Sequence, residues 1–246
     1  MKDKFWPFWL RAARLVELIF FPSFCRLCQR LLDKPKERVV CQECYDSIRL
    51  PSAAYCWRCG RFFAVVGEPY LCLQCQVQLP PFSLHRSCAR YEGVMKELIL
   101  LYKYAKLKVV GQRLANLALG FVREEEFWAG LEVVVPVPLH PKKQRERGFN
   151  QSLEIARVVG RARGLEVEDK ALIKIRNNPP QASLEAEDRR ANVKGAYQVR
   201  KTEKIKGKVV LLVDDVFTTG STIEECSRVL KQAGAQEVRA LTLAQA

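Results

Sequence analysis

The sequence predicts an α/β protein: a doubly wound, mostly parallel sheet preceded by a small cysteine-rich lobe. Three observations carry this prediction. Beyond residue 80, short apolar runs alternate with segments whose apolar residues recur at helical spacing, the pattern of strands joined by crossover helices. Residues 209–213, VVLLV, form an unbroken apolar run, as expected of a strand buried on both faces, and lead into two adjacent carboxylates, Asp214 and Asp215. Eight of the cysteines fall between positions 25 and 75 in C-x2-C pairs.

A chain of 246 residues with 48% hydrophobic content can build one ordinary domain and a smaller one. Three segments are expected: an N-terminal amphipathic helix within 1–24, the cysteine lobe at 25–80 and the α/β domain at 81–246. The formal charge of +14 attracts polyphosphates, nucleic acid or an anionic membrane surface without choosing among them. The first 24 residues are apolar but interrupted by Pro7, Arg11, Arg14 and Glu17, too broken to form a membrane span. Residues 8–21 are expected to form an amphipathic helix, packed on the protein in the first reading and lying on a membrane surface in the alternative. The absence of a secretory signal and the cysteine spacing point to a cytoplasmic protein.

Cys25, Cys28, Cys41 and Cys44 follow C-x2-C-x12-C-x2-C, and Cys56, Cys59, Cys72 and Cys75 repeat that spacing at a shift of 31 residues. Two tight turns at this spacing present four thiolates to one tetrahedral zinc ion, so two structural zinc ribbons are expected. Segments this short and polar cannot bury enough surface to fold unaided, and the metal supplies the missing stability. Consecutive quartets are expected, although spacing alone leaves an interleaved arrangement open. Arg26, Arg30, Lys34, Arg58 and Arg61 then have anionic metal centres beside them. The ribbons serve either as structural support or in recognition of a protein or nucleic acid.

In the second domain, residues 83–93 have strand character, and Val94, Leu98 and Leu101 begin a helix that runs into KYAKLK at 103–108. A second helix covers about 109–126. Residues 131–140 form a central strand ended by prolines, followed by a PLHPKKQRERGFN loop. Residues 150–164 form a helix capped by Asn150 and closed by Gly164, and 171–176 another strand. The last elements are a strand at 208–213, a helix at about 220–234 and a strand at 237–243. In such sheets the site lies at the carboxyl ends of the strands. The segments expected to meet there are those after Val213, Val137 and Arg176, together with KYAKLK.

In FTTGST, Gly220 permits a tight turn, and the following helix offers unpaired N–H groups and the positive end of its dipole to a phosphate. Thr218, Thr219, Ser221 and Thr222 add hydroxyl donors, while Asp214 and Asp215 can accept hydrogen bonds from a vicinal diol. A phosphate and a diol held by neighbouring residues describe a ribose 5-phosphate. The loop is neither a Walker loop nor G-x-G-x-x-G. His85 and His140 fit no catalytic or metal-binding pattern and are assigned to surface or packing roles, with His140, at a strand end, the one worth testing. Cys88 and Cys226 are expected to be buried thiols.

VVLLVDDVFTTGST resembles the phosphoribosyl pyrophosphate (PRPP) motif of type I phosphoribosyltransferases. Together with the double zinc ribbon, RERGFNQ at 145–151 and QASLEAEDRRANVKGAY at 181–197, the chain from about Phe20 onward resembles the ComF family of competence-associated proteins. The resemblance implies a type I phosphoribosyltransferase-like domain in which Asp214 and Asp215 hold the ribose hydroxyls and Thr218, Thr219, Gly220, Ser221 and Thr222 hold the 5-phosphate. Magnesium would be bound chiefly through the substrate's diol and pyrophosphate. Arg145 and Arg147, Arg189 and Arg190 on a closing loop at 177–195, and Lys103 are the cations assigned to the pyrophosphate side. The resemblance also implies a role in DNA uptake and transformation, with single-stranded DNA, a competence helicase or DNA-processing proteins as partners. A nucleobase or amine phosphoribosyltransferase and a non-catalytic PRPP-binding regulator are the competing readings.

Overall fold

The computed structural model describes residues 22–32, 39–51, 54–65, 67–177 and 193–246. The expected helix at 8–21, Lys34, Arg189, Arg190 and most of the 177–195 loop lie outside the described residues. The chain divides into two units, 1–48 and 49–246, so the boundary falls between the two cysteine repeats.

In the first unit a turn joins Phe24 to Leu31 by an isolated antiparallel bridge, and helix α1 (Gln42–Asp46) starts at Cys41. The second repeat opens the larger unit in the same way, with a Tyr55–Phe62 bridge and helix α2 (Leu73–Val77) starting at Cys72. Then follow β1 (Leu84–Arg90), α3 (Gly93–Tyr104), α4 (Lys108–Phe121), α5 (Glu125–Trp128), β2 (Val133–Pro136), α6 (Pro141–Arg147), α7 (Gln151–Arg163), β3 (Glu166–Val167), β4 (Leu172–Lys174), β5 (Tyr197–Val199), β6 (Val209–Phe217), α8 (Ser221–Gln232) and β7 (Glu237–Gln245).

The main sheet has strand order β1-β7-β6-β2-β3, and every adjacent pair is parallel. Its centre is the apolar run seen in the sequence: Val133–Val135 and Val210–Val213 are fully buried. This is the α/β architecture expected from the alternating pattern. Three local expectations need correction. Residues 171–176 do not join the main sheet; β4 pairs antiparallel with β5 in a separate hairpin, and the two-residue β3 takes the edge position. The apolar content of ALIKIR marks a strand but not its partner, which lies beyond a long connection. The helix expected over 109–126 stops at Phe121, with the short α5 following. The segment expected as a loop after Val137 contains α6, whose first residue is Pro141 and whose N-cap is His140, with Nδ1 accepting from the Lys142 amide.

The strand expected at 208–213 continues through both aspartates to Phe217, because β7 pairs with it as far as Gln245 and the Ala246 amide donates to the Phe217 carbonyl at 2.9 Å. On its other side β6 loses its neighbour earlier. β2 ends at Pro136, opposite Val213, and the Val137 amide makes the last bond, to the Val213 carbonyl. Proline has no N–H to extend the ladder. Asp214 and Asp215 therefore stand where the sheet opens, while their own strand is still held rigid from the β7 side. Among the described residues, no helix is long and apolar enough to cross a membrane.

Candidate functional site

The acid pair is built from three directions. Successive strand residues point to opposite faces, so Asp214 and Asp215 diverge. Asp214 Oδ1 accepts from the Ser152 hydroxyl at 2.8 Å and from the Asp215 amide at 2.9 Å. Ser152 is delivered by the start of α7, where the Asn150 side chain accepts from the Ser152 amide and donates to the Val137 carbonyl. Asp215 Oδ1 lies 2.8 Å from Lys103 Nζ, in the last turn of α3, and both side chains are about 85% removed from solvent. The Tyr102 hydroxyl donates to the Gln151 carbonyl at 2.7 Å and pins the end of α3 to the start of α7.

Withdrawal from water, reinforced by the neighbouring Asp215 charge, raises Asp214 to about 7, against the lowering effect of the Ser152 bond. Burial works against the Lys103 charge, but the Asp215 carboxylate outweighs it and holds the ammonium above its ordinary value. At neutral pH the site thus carries one ion pair and one carboxyl poised between its two forms.

More cations surround the pair. Lys143 and Arg147 stand one helical turn apart on α6 and are both half-buried, whereas Arg145 is exposed on another side of the helix. Arg147 donates to Gln151 at 2.9 Å and lies over the Tyr104 ring. Lys143 is lowered by burial and then by repulsion from Arg147, Lys174 and Lys103. Lys174, on β4, is lowered mainly by burial, against the pull of Cys226 and Asp214. Tyr197, on β5, is raised well above its ordinary value by burial and then by Cys226 and Asp214. The hairpin thus brings a lysine and a tyrosine within electrostatic range of Asp214.

Beyond Phe217, residues 218–220 turn into α8. Gly220, at φ 84°, is the N-cap of α8, a left-handed conformation that favours glycine. The Thr219 and Ser221 hydroxyls are 2.7 Å apart, and the α8 amides open beside them. Of the residues singled out in the sequence, Asp214, Asp215, Lys103, Arg147 and the 218–222 loop converge on this edge; Arg145 does not join them, and Arg189 lies outside the described residues. Ser152, Lys143, Lys174 and Tyr197 were missed. The spacing of Lys143 and Arg147 in a helix begun by Pro141 was the available signal for one of them.

The cysteines form two quartets of consecutive pairs, with the sulfurs of each quartet within 4.8 Å of one another. Sulfur separations of 3.8 Å (Cys25–Cys44), 3.6 Å (Cys28–Cys41) and 3.7 Å (Cys59–Cys72) match the edge of about 3.8 Å of a tetrahedron with ~2.3 Å metal–sulfur arms. No cysteine is disulfide-bonded. In the second quartet the Cys59 thiol, with the Cys72 and Cys59 amides, outweighs burial and lowers Cys56 to about 4, while burial and then Cys72 push Cys75 up to about 12. Such a donor set suits zinc, whose charge favours four thiolates. His85 sits beside this quartet, fully buried, and burial lowers it to about 3, so its imidazole is neutral. His140 is only a helix cap. Cys88 and Cys226 are buried, as expected.

Residues 152–246 match the phosphoribosyl transferase domain family. Over 231 residues the chain is 29% identical to competence protein F of Haemophilus influenzae, covering 92% of this chain and 99% of that protein. Over nearly its whole length the chain is similar to proteins named competence protein F and competence protein ComFC. Another relative, the DNA utilization protein YhgH of Salmonella typhi, is 28% identical over 226 residues, covering 90% of this chain and 96% of that one. Among solved structures, the glutamine PRPP amidotransferase from B. subtilis complexed with ADP and GMP is 26% identical with a TM-score of 0.34. The match covers 55% of this chain and only 25% of that structure's length.

Proposed function

We propose that this protein is a member of the ComF family that binds PRPP with magnesium at the open edge of β6 and serves DNA uptake as a phosphoribosyltransferase-like component. The observation that carries this reading is the acid pair ending a buried strand directly before a hydroxyl- and amide-lined turn at the N-terminus of α8. In this reading Asp214 and Asp215 accept hydrogen bonds from the ribose diol, and the 218–222 turn donates to the 5-phosphate. Lys103, Lys143, Arg147 and Lys174 supply the positive field for the pyrophosphate. Magnesium, held mainly by the substrate's own oxygens, would neutralise further charge.

Transfer would be a displacement at the anomeric carbon. The bond to pyrophosphate breaks as the acceptor bonds to carbon, and the cations stabilise the charge growing on the leaving oxygens. The names of the relatives, competence protein F and DNA utilization protein, support the DNA role. The exposed Lys142 and Arg145 on α6 suit contacts with a nucleic-acid backbone, whose strength should fall as salt rises.

Calorimetry with PRPP and magnesium tests the pocket. Asp214→Asn with Asp215→Asn should abolish binding, and unchanged binding would refute the assignment. A carboxyl must shed its proton to accept from both diol and Ser152, so PRPP affinity should rise between pH 6 and 8 as Asp214 ionises. A flat profile would remove Asp214 from the contact. A knockout scored for transformation and for growth on salvage bases separates DNA uptake from nucleobase salvage.

A further inference from the structure

The second cysteine quartet and the phosphate turn are joined by two stacked rings. Three consecutive carbonyls of the first knuckle turn in this repeat are taken up by β1, an edge strand. The Trp57 carbonyl accepts from the Arg86 guanidinium at 3.0 Å, the Arg58 carbonyl from the His85 amide at 2.9 Å, and the Cys59 carbonyl from His85 Nδ1 at 2.7 Å. A carbonyl only accepts, so the imidazole carries a proton on Nδ1, and Nε2 lies 3.0 Å from the Thr242 hydroxyl. Thr242 is the β7 partner of Asp214.

The imidazole stacks on Phe217, with centroids 4.1 Å apart and planes 20° from parallel, and Phe82 packs edge-on to both rings. Phe217 ends β6. Its ring tip meets the turn, where a Cβ built on Gly220 would fall 2.6 Å from Phe217 Cζ. The Phe217 ring thus touches His85 with its face and, with its tip, the backbone that makes the phosphate seat. Cys59, Cys75, Phe217 and Thr219 also line one small cavity.

We propose that His85 and Phe217 are positioning residues that couple metal occupancy of the Cys56/Cys59/Cys72/Cys75 group to the conformation of the phosphate turn. The inference rests on the reading of that turn as the sugar-phosphate seat. Cys59 offers both a metal ligand and the carbonyl that orients His85, so releasing its sulfur frees that carbonyl to move. A fully buried Nδ1–H then loses its acceptor, and the imidazole must shift or leave. Close packing transmits the shift, because the space Phe217 occupies is bounded by the Gly220 backbone. By linkage, a sugar phosphate seated on the turn tightens the metal site in return.

The test uses the full zinc-loaded chain and three readouts: zinc content, calorimetry with PRPP and magnesium, and the amide resonances of Thr218–Thr222 without ligand. Cys72→Ser with Cys75→Ser and Cys41→Ser with Cys44→Ser should each remove one zinc. The first pair should weaken PRPP at least tenfold and move the turn amides; the second should leave affinity within twofold and the amides in place. PRPP should also slow zinc release from the second quartet at least threefold. Phe217→Leu replaces no metal ligand and should keep both zincs, yet move the same amides and weaken PRPP about fivefold; it decides the matter where the double serine variant does not fold. Wild-type affinity and unmoved amides in the second-quartet variants, or in Phe217→Leu, overturn the proposal. A wild-type chain that binds no PRPP, but whose turn amides move when the second zinc is lost, keeps the coupling and discards the sugar-phosphate reading.

Discussion

The two cysteine repeats are the same local object in different surroundings. Both enclose the first ligand pair in an isolated bridge, start a five-residue helix at the third cysteine, and turn that cysteine's amide toward the first sulfur at 3.4 Å. Both pass through the left-handed region one residue after the second ligand, at Gln29 (φ 60°) and Gly60 (φ 66°). Their burial differs. Cys28 is exposed, whereas all four cysteines of the second repeat are buried and share one core with Phe82, Leu212, Phe217 and Cys226. Spacing therefore specifies the metal geometry, and the neighbours decide what the metal site holds together. In the second repeat it covers the open edge of β1, a protection that sheet edges need, and stands beside the 218–222 turn.

The largest effect that could break this comparison is on stability. Cys59→Ser removes a ligand from a site inside the sheet's core, and a structural zinc contributes several kcal/mol or more, so the main thermal transition should fall by roughly 10 °C or more. Cys28→Ser should remove one zinc and leave that transition within about 2 °C. Chelation should release the two metals in separate phases, with the slower one accompanied by loss of near-ultraviolet circular dichroism. Equal shifts for the two serines, or a single release phase, would mean that the repeats are equivalent after all.

The contrast between the repeats also shows what the sequence can convey. The quartets were legible because metal geometry depends on ligands a few residues apart. β2, β6 and β7 were legible from apolar runs, β1 from its strand character and α7 from its Asn150 and Gly164 caps, because these signals are local as well. The acid pair stood out because two carboxylates ending a buried strand need a reason to be there. What failed was non-local or masked by composition. The charge of PKKQRER reads as loop, yet Pro141 and the His140 cap start a helix, and its periodicity turns Lys143 and Arg147 toward the acids while Arg145 faces solvent. Lys174 and Tyr197 reach the site only because β4 pairs with β5 across an intervening segment, and no spacing rule announces that pairing. His85 was assigned a surface or packing role; its burial fits packing, but its partners, the Cys59 carbonyl and Phe217, are 26 and 132 residues away in sequence.

A smaller effect isolates the docking from the metal. A Cβ on Gly60 would stand 2.5 Å from the His85 carbonyl oxygen, a backbone atom of β1 that cannot step aside, and φ 66° is itself unfavourable for alanine. Gly60→Ala should therefore cost roughly 2–4 kcal/mol with both zincs retained, since overpacking adds to the backbone penalty. Gln29 occupies the equivalent left-handed position with an exposed side chain, so Gln29→Gly should stay within about 1 kcal/mol of neutral and tend to stabilise, by relieving that conformation. Denaturant unfolding of the two variants beside the parent measures both. A neutral Gly60→Ala would show that the second turn is not pressed against β1, and it would remove the first contact in the proposed path from Cys59 through His85 to the 218–222 turn.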